Sequence, residues 1–275
     1  MVCPSPIATA PIKLIACDLD GTTLTSARRP HPETFEAIRR AEAAGVLVVF
    51  ASGRIYTSML PFVEMLGAAD AMICSNGGQI LGPGQNELAC YPVEPGVLDA
   101  VLDYAIPLGV HVNVNTRRDL HILNDSEWSE IYLRRLVTLK AIPTTIEEAR
   151  KMDLIKVSIV DDPEHIQGHI AALRERIGDS VLYTESEPEY IEMSDVRANK
   201  GSALRILAEH LEIEQESTAA IGDYLNDLEM VRWAGLGGAV GNATDLVLES
   251  ADVVAPRNDD GGVAWFIDWV LANRV

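Results

Sequence analysis

Continuously apolar runs of strand length alternate with longer stretches whose apolar residues recur every three or four positions. Residues 12–17 form the first run; after a polar loop, a helical pattern covers about 32–44 and stops at Gly45. A second run at 46–51, a helix over about 55–66 and a third run at 71–74 follow. Strands that are apolar on both faces and separated by helices predict a parallel sheet covered on two sides.

The character changes near Gly82-Pro83-Gly84. From there to about Met193, strand candidates at 110–115, 120–124, 155–160, 181–184 and 190–193 alternate with helical patterns at 97–108, 126–139 and 163–177. This mixture predicts an α+β unit with a small core of its own. The first rhythm then resumes, with helix 201–211, strand 218–221, helix 226–234, strand 237–240, helix 246–249, strand 253–254 and a closing helix over 262–273. The expected organisation is an α/β domain made of residues 1–83 and 194–275, interrupted by an inserted α+β domain over 84–193. A chain of 275 residues suits this, since roughly 150 residues make a domain.

Composition narrows the range of partners. With 22 basic and 41 acidic residues the net charge is −19, and such a surface repels nucleic acid and anionic membranes. Aromatic residues, at 5%, are too sparse for stacking platforms along single-stranded nucleic acid. No apolar run approaches the length of a membrane span. Residues 1–11 contain three prolines and no Lys or Arg, which reads as a loose lead-in and not as a secretory signal. Cys3, Cys17, Cys74 and Cys90 show no CxxC spacing and read as free thiols of a reducing cytoplasm. Small molecules or other proteins are the expected partners.

The ends of the predicted strands carry the candidate chemistry. The first strand runs into Asp18-Leu19-Asp20-Gly21-Thr22-Thr23, where open α/β sheets bind ligands. Adjacent buried carboxylates resist ionising together unless a cation lies between them, so a metal is expected; capping of the following turn is the plainer reading. The second strand ends in Ser52-Gly53-Arg54, a hydroxyl and free N–H groups that suit an anion or equally cap a helix. Asn76-Gly77-Gly78 is similarly open between readings. Lys200 opens the helix that restarts the sheet domain, and Gly222-Asp223-Tyr224-Leu225-Asn226-Asp227 places three polar or metal-capable groups at another strand end. His165 and His169 lack a third ligand in the sequence, no Cys has an evident His partner, and no phosphate-loop or dinucleotide string is present.

These stations, in this order, resemble the four motifs of the haloacid dehalogenase-like phosphohydrolase superfamily: Asp18 to Thr22, Ser52, Lys200, and Gly222-Asp223 with Asn226-Asp227. The longer strings ASGR at 51–54, SNGG at 75–78, NKGSAL at 199–204 and GDYLNDLEM at 222–230 are similar to the Cof-type (type IIB) branch, whose cap lies between the second and third motifs. The resemblance implies a Rossmann-like core with a substrate-choosing α+β cap. It implies phosphoryl transfer through an aspartyl-phosphate, with Asp18 as nucleophile and Asp20 as acid and base. It further implies Mg²⁺ held by Asp18, Asp20 and Asp223, with Asp227 behind the metal or Lys200. Ser52, Gly53, Lys200 and Asn226 would bind phosphate. The implied substrates are small phosphorylated metabolites such as sugar phosphates; a phosphomutase and a silent phospho-ligand sensor remain alternatives. Gly82-Pro83-Gly84 and residues 194–198 are candidate cap hinges or ordinary turns, and Arg117, Arg118, His121 and Tyr190 are candidate substrate contacts or surface residues.

Overall fold

The computed structural model describes residues 10–275 apart from 125, 127, 130–139, 186 and 187. The expected helix over 126–139 therefore lies largely outside the described residues. The described residues form two sheets. The larger is entered by β1 (Leu14–Asp18), α1 (Pro32–Ala43), β2 (Leu47–Ala51), α2 (Tyr56–Leu66) and β3 (Met72–Cys74), in the predicted alternation. Two strands absent from the sequence reading extend it, β4 (Gln79–Leu81) and β5 (Glu87–Cys90), both antiparallel. Gly82-Pro83-Gly84 is thus the turn of a hairpin inside the larger sheet and not a hinge out of it. The chain leaves this sheet after Cys90, past the expected boundary at 83/84. Three or four residues with Gln and Glu among them carry too little apolar pattern to register as strands.

The smaller sheet follows. Helix α3 (Pro95–Ala105) leads to β6 (His111–Asn115) and β7 (Leu120–Ile122). Next come β8 (Ala141–Pro143), a short α4 (Ile146–Ala149), β9 (Lys156–Val160), α5 (Pro163–Ile177), β10 (Val181–Thr184) and β11 (Tyr190–Asp195). The strand order is β10-β11-β9-β6-β7-β8. Strand β8 and helix α4 were not expected, although Thr145 and Glu148 form a capping box at the start of α4.

Helix α6 (Lys200–His210) returns the chain to the larger sheet, followed by β12 (Thr218–Gly222), α7 (Leu228–Trp233), β13 (Leu236–Val240), α8 (Asp245–Ser250), β14 (Val253–Ala255) and α9 (Gly262–Arg274). The expected helix over 226–234 divides, because Leu225–Asp227 is a tighter 3₁₀ turn. The sheet order is β14-β13-β12-β1-β2-β3-β4-β5. Strand β1 therefore sits where the order reverses, with β12 on one side and β2 on the other, the switch point at which such sheets open a crevice. Parallel register brings Asp18 level with Ala51 and Cys17 level with Ile221, so the residues following all three strands meet at one edge.

Each sheet has its own core. In the larger one, Gly238 leaves its side-chain space to the ring of Phe266 on α9; a Cβ there would lie 2.5 Å from that ring. In the smaller one Val112, Val114, Val157, Ile159, Ile191 and Met193 pack under α3 and α5. Their alternate neighbours Asn113, Asn115, Lys156, Ser158, Tyr190 and Glu192 are buried on the opposite face, which looks onto the larger sheet. Among the described residues no helix is long and apolar enough to cross a membrane. Because Phe266 is fully buried, Phe266→Ala should cost about 3–5 kcal/mol, read as a lowered urea midpoint at unchanged slope.

Candidate active site

Residues from two strand ends, those of β1 and β12, converge on Lys200. Its ammonium is fully buried and donates to Asp18 Oδ1 at 2.6 Å and to Asp227 Oδ1 at 2.5 Å. Asp227 Oδ2 accepts the backbone N–H groups of Asp223 at 2.9 Å and Tyr224 at 3.1 Å, which ties down the turn after β12. Gly222 makes this possible, since a Cβ there would meet the Asp227 side chain at 2.3 Å. Asp223 in turn accepts from the Thr22 hydroxyl at 2.7 Å. Gly21, at φ +84°, lets the loop after β1 pass beside Asp223, where a Cβ would lie 2.5 Å from its Oδ2.

Asp18, Asp223 and Asp227 bring carboxylate oxygens within 4.8 Å of one another. Three carboxylates against one ammonium leave two negative charges unbalanced, the charge of one divalent cation. Asp18 Oδ2 is buried and has no hydrogen-bond partner. Oxygen donors, unbalanced charge and an orphaned carboxylate oxygen together fit a hard cation such as Mg²⁺. Asp227 spends both oxygens on protein donors, so Asp18 and Asp223 are the carboxylates left to face it.

The electrostatics follow from this crowding. Burial, and then the Asp227 charge, push Asp18 well above the usual carboxylate range, against the pull of Lys200. Burial and Asp227 raise Asp223 to about 7, with the Thr22 hydrogen bond opposing. Burial works to discharge Lys200, but Asp18 and Asp227 outweigh it and hold the ammonium above its ordinary value.

Asp20 is separate from this cluster. Arg54 grips it with two hydrogen bonds, Nε to Oδ2 and Nη2 to Oδ1, each 2.6 Å. Burial works to raise Asp20, and the Arg54 pairing overcomes it, so the carboxyl lies below its ordinary value. The Arg54 backbone N–H also donates to Ser52 Oγ at 3.2 Å. Asn226 donates to Asn76 Oδ1 at 3.0 Å.

A cleft of about 410 Å³ opens above these groups, lined by Asp18, Asp20, Ser52, Gly53, Asp223 and Asn226 from the larger sheet. The smaller sheet contributes Asn115, Lys156, Ser158, Tyr190 and Glu192. Lys200 and Asp227 lie beneath the floor. Of the four cap residues singled out from the sequence, only Tyr190 lines the cleft. Arg117 pairs with Glu87 and Asp153, Arg118 lies 4.5 Å over the Tyr56 ring, and His121 bonds Thr144. The smaller sheet's cleft residues that sequence reasoning passed over sit at alternate positions of buried strands, as in HVNVN and KVSIV, and that alternation was the available signal; Ser26, Arg28, Ser58 and Asn258, which line the cleft from the larger sheet's loops and α2, carried no such signal.

Residues 15–267 match the family described as haloacid dehalogenase-like hydrolase. The chain belongs to this family. It is a phosphatase of the Cof type. A 5-amino-6-(5-phospho-D-ribitylamino)uracil phosphatase of Bacillus subtilis is 31% identical, over 94% of this chain and 96% of its own. A phosphoglycolate phosphatase of Methanobrevibacter smithii is 28% identical, over 92% and 95%. The solved structure of a haloacid dehalogenase-like hydrolase from Bacteroides thetaiotaomicron superimposes with a TM-score of 0.83 at 26% identity, covering 94% of this phosphatase and 99% of that chain.

The raised Asp223 sets a pH dependence for the metal-free phosphatase. Asp223 holds its proton more tightly folded than unfolded, so its contribution to stability is complete below its ordinary 3.8 and lost as pH rises through about 7. Urea midpoints of chelator-treated protein should therefore fall between pH 5 and pH 8. Asp223→Asn should flatten that fall, and Mg²⁺ should reverse it at pH 8.

Proposed function

We propose that this phosphatase hydrolyses small phosphate monoesters in two displacements, with Asp18 as nucleophile. The observation that carries the reading is the Asp18 carboxylate on the cleft floor, with one oxygen fixed by Lys200 and the other without a partner. An Asp18 oxygen forms a bond to phosphorus as the bond to the alcohol oxygen breaks, and that oxygen takes a proton from Asp20. Water then attacks the aspartyl-phosphate, Asp20 accepts the water proton, and phosphate leaves with Asp18 restored.

Mg²⁺ held by Asp18, Asp223 and the Asp20 backbone carbonyl would offset the charge repulsion between carboxylate and phosphate. Ser52, the Gly53 backbone and Asn226 are the phosphate-binding groups, and Lys200 keeps the nucleophile oriented and its negative charge countered. Asp20 raises a specific demand. Arg54 favours its ionised form, which suits the base, so giving up a proton in the first displacement requires that this pair loosen when the substrate enters.

The cap wall, with carboxamide, hydroxyl and phenol groups, suits a hydroxylated metabolite such as a sugar phosphate. The chemically unlike substrates named for the two relatives leave the choice to that wall. Cys17, Cys74 and Cys90 are free thiols, which agrees with a cytoplasmic setting.

Phosphate release from a panel of metabolite esters should require Mg²⁺ and fall to the reagent blank in Asp18→Asn; undiminished turnover in that variant would exclude Asp18 as nucleophile. Product analysis with a bisphosphorylated sugar separates hydrolysis from phosphoryl return. In Arg54→Ala, Asp20 loses the partner that lowers it and keeps the proton it must donate in the first displacement to higher pH, so the alkaline limb of the pH profile of kcat/KM should move to higher pH.

A further inference from the structure

The cap side of the cleft holds a buried charge pair with no part in the displacements above. Lys156 on β9 and Glu192 on β11 are 6% and 8% exposed, and Lys156 Nζ lies 2.5 Å from Glu192 Oε1. Both side chains also reach the larger sheet. Lys156 Nζ donates to the Gly53 carbonyl at 2.9 Å. That carbonyl and the Arg54 N–H belong to one planar peptide, so fixing one edge fixes the other. The Arg54 N–H donates to Ser52 Oγ, and a serine oxygen that accepts from the backbone keeps its own hydrogen for an acceptor in the cleft.

Glu192 works on the opposite side. Its Oε2 accepts from Asn76 Nδ2 at 3.3 Å, and Asn76 Oδ1 accepts from Asn226 Nδ2 at 3.0 Å. Asn76 holds a left-handed backbone, φ +56°, in a turn where Gly77 also has positive φ. One ion pair on the cap thus connects to Ser52 through a peptide and to Asn226 through a carboxamide. Buried hydrogen-bond chains of this kind polarise and orient their members.

We propose that Lys156 and Glu192 are positioning residues of the phosphate site, so that Ser52 and Asn226 are set for phosphate only when the cap pair is docked against Gly53 and Asn76. This rests on the phosphatase reading. It differs from a role in reading the alcohol part of the substrate, which a cation in the cleft could also play.

The test compares the wild type with Lys156→Met/Glu192→Met, which removes both charges and leaves no lone buried ion, and with Glu192→Gln, which keeps the shape if the double variant does not fold. Measured with Mg²⁺ present are KM and kcat for esters of several alcohols, Ki for inorganic phosphate, which has no alcohol part, and calorimetric phosphate binding. In the double variant Ki and every KM should rise together, about tenfold, as expected for loss of a charge-assisted hydrogen bond. Glu192→Gln should show a smaller rise of the same pattern. In a Ser52→Ala background the double substitution should raise Ki much less, since the group it positions is gone.

An unchanged Ki, a rise confined to particular alcohols, or an undiminished rise in the Ser52→Ala background would each overturn the proposal. A wild type that binds phosphate in a pair-dependent way but releases none from any ester would overturn the phosphatase reading and leave the positioning role standing. A wild type that neither binds phosphate nor hydrolyses esters would overturn both.

Discussion

The buried ammonium of Lys200, held between Asp18 and Asp227, is the contact on which the arrangement of the site depends. It joins the first residue of the α6 helix to the end of β1 and to the turn after β12, segments far apart in the chain. Breaking a buried pair by removing one partner leaves the remaining charge uncompensated and is typically strongly destabilising. Asp227 then passes the constraint on, because its second oxygen collects the N–H groups that aim Asp223. Asp18 and Asp223 are thereby set by one cation that does not itself line the cleft.

Around this centre the two carboxylates of the Asp18-Leu19-Asp20 string have opposite environments. Asp18 lies among other carboxylates, which with burial favour its protonated form, whereas Asp20 meets a guanidinium that favours ionisation. Two residues of spacing suffice because β1 ends at Asp18 and Asp20 lies past it, where the alternation that puts positions i and i+2 on one face no longer holds. Asp20 is balanced by Arg54, whereas the cluster around Asp18 keeps its excess of negative charge.

Much of this is legible in the sequence. The parallel sheet followed from strands apolar on both faces, and the strand-end positions of Asp18, Ser52 and Asp223 followed from where those runs stop. Less legible was whatever depends on cross-sheet geometry. The β4–β5 hairpin carries Gln79 and Glu87, which bond each other, and its short strands have no apolar run to mark them. Arg54 was read as part of a string, since its side chain finds Asp20 only through the pairing of β1 with β2. Arg117 and Arg118 were open between substrate contacts and surface residues, and folding gives them protein partners outside the cleft. Lys156 and Glu192 are 36 positions apart, joined only because β9 and β11 are adjacent strands.

The smaller sheet has one further consequence, for how such an enzyme diversifies. In β6, β9 and β11 the residues that hold the cap together and those that line the cleft alternate along the same strands, pointing to opposite sides. Substitution at Asn115, Ser158 or Tyr190 can therefore alter what the cleft accepts while Val114, Val157 and Ile191 keep their packing. Recognition and folding are inherited together yet free to drift apart, which makes the cap a surface on which new substrates can be tried without rebuilding the domain that presents them.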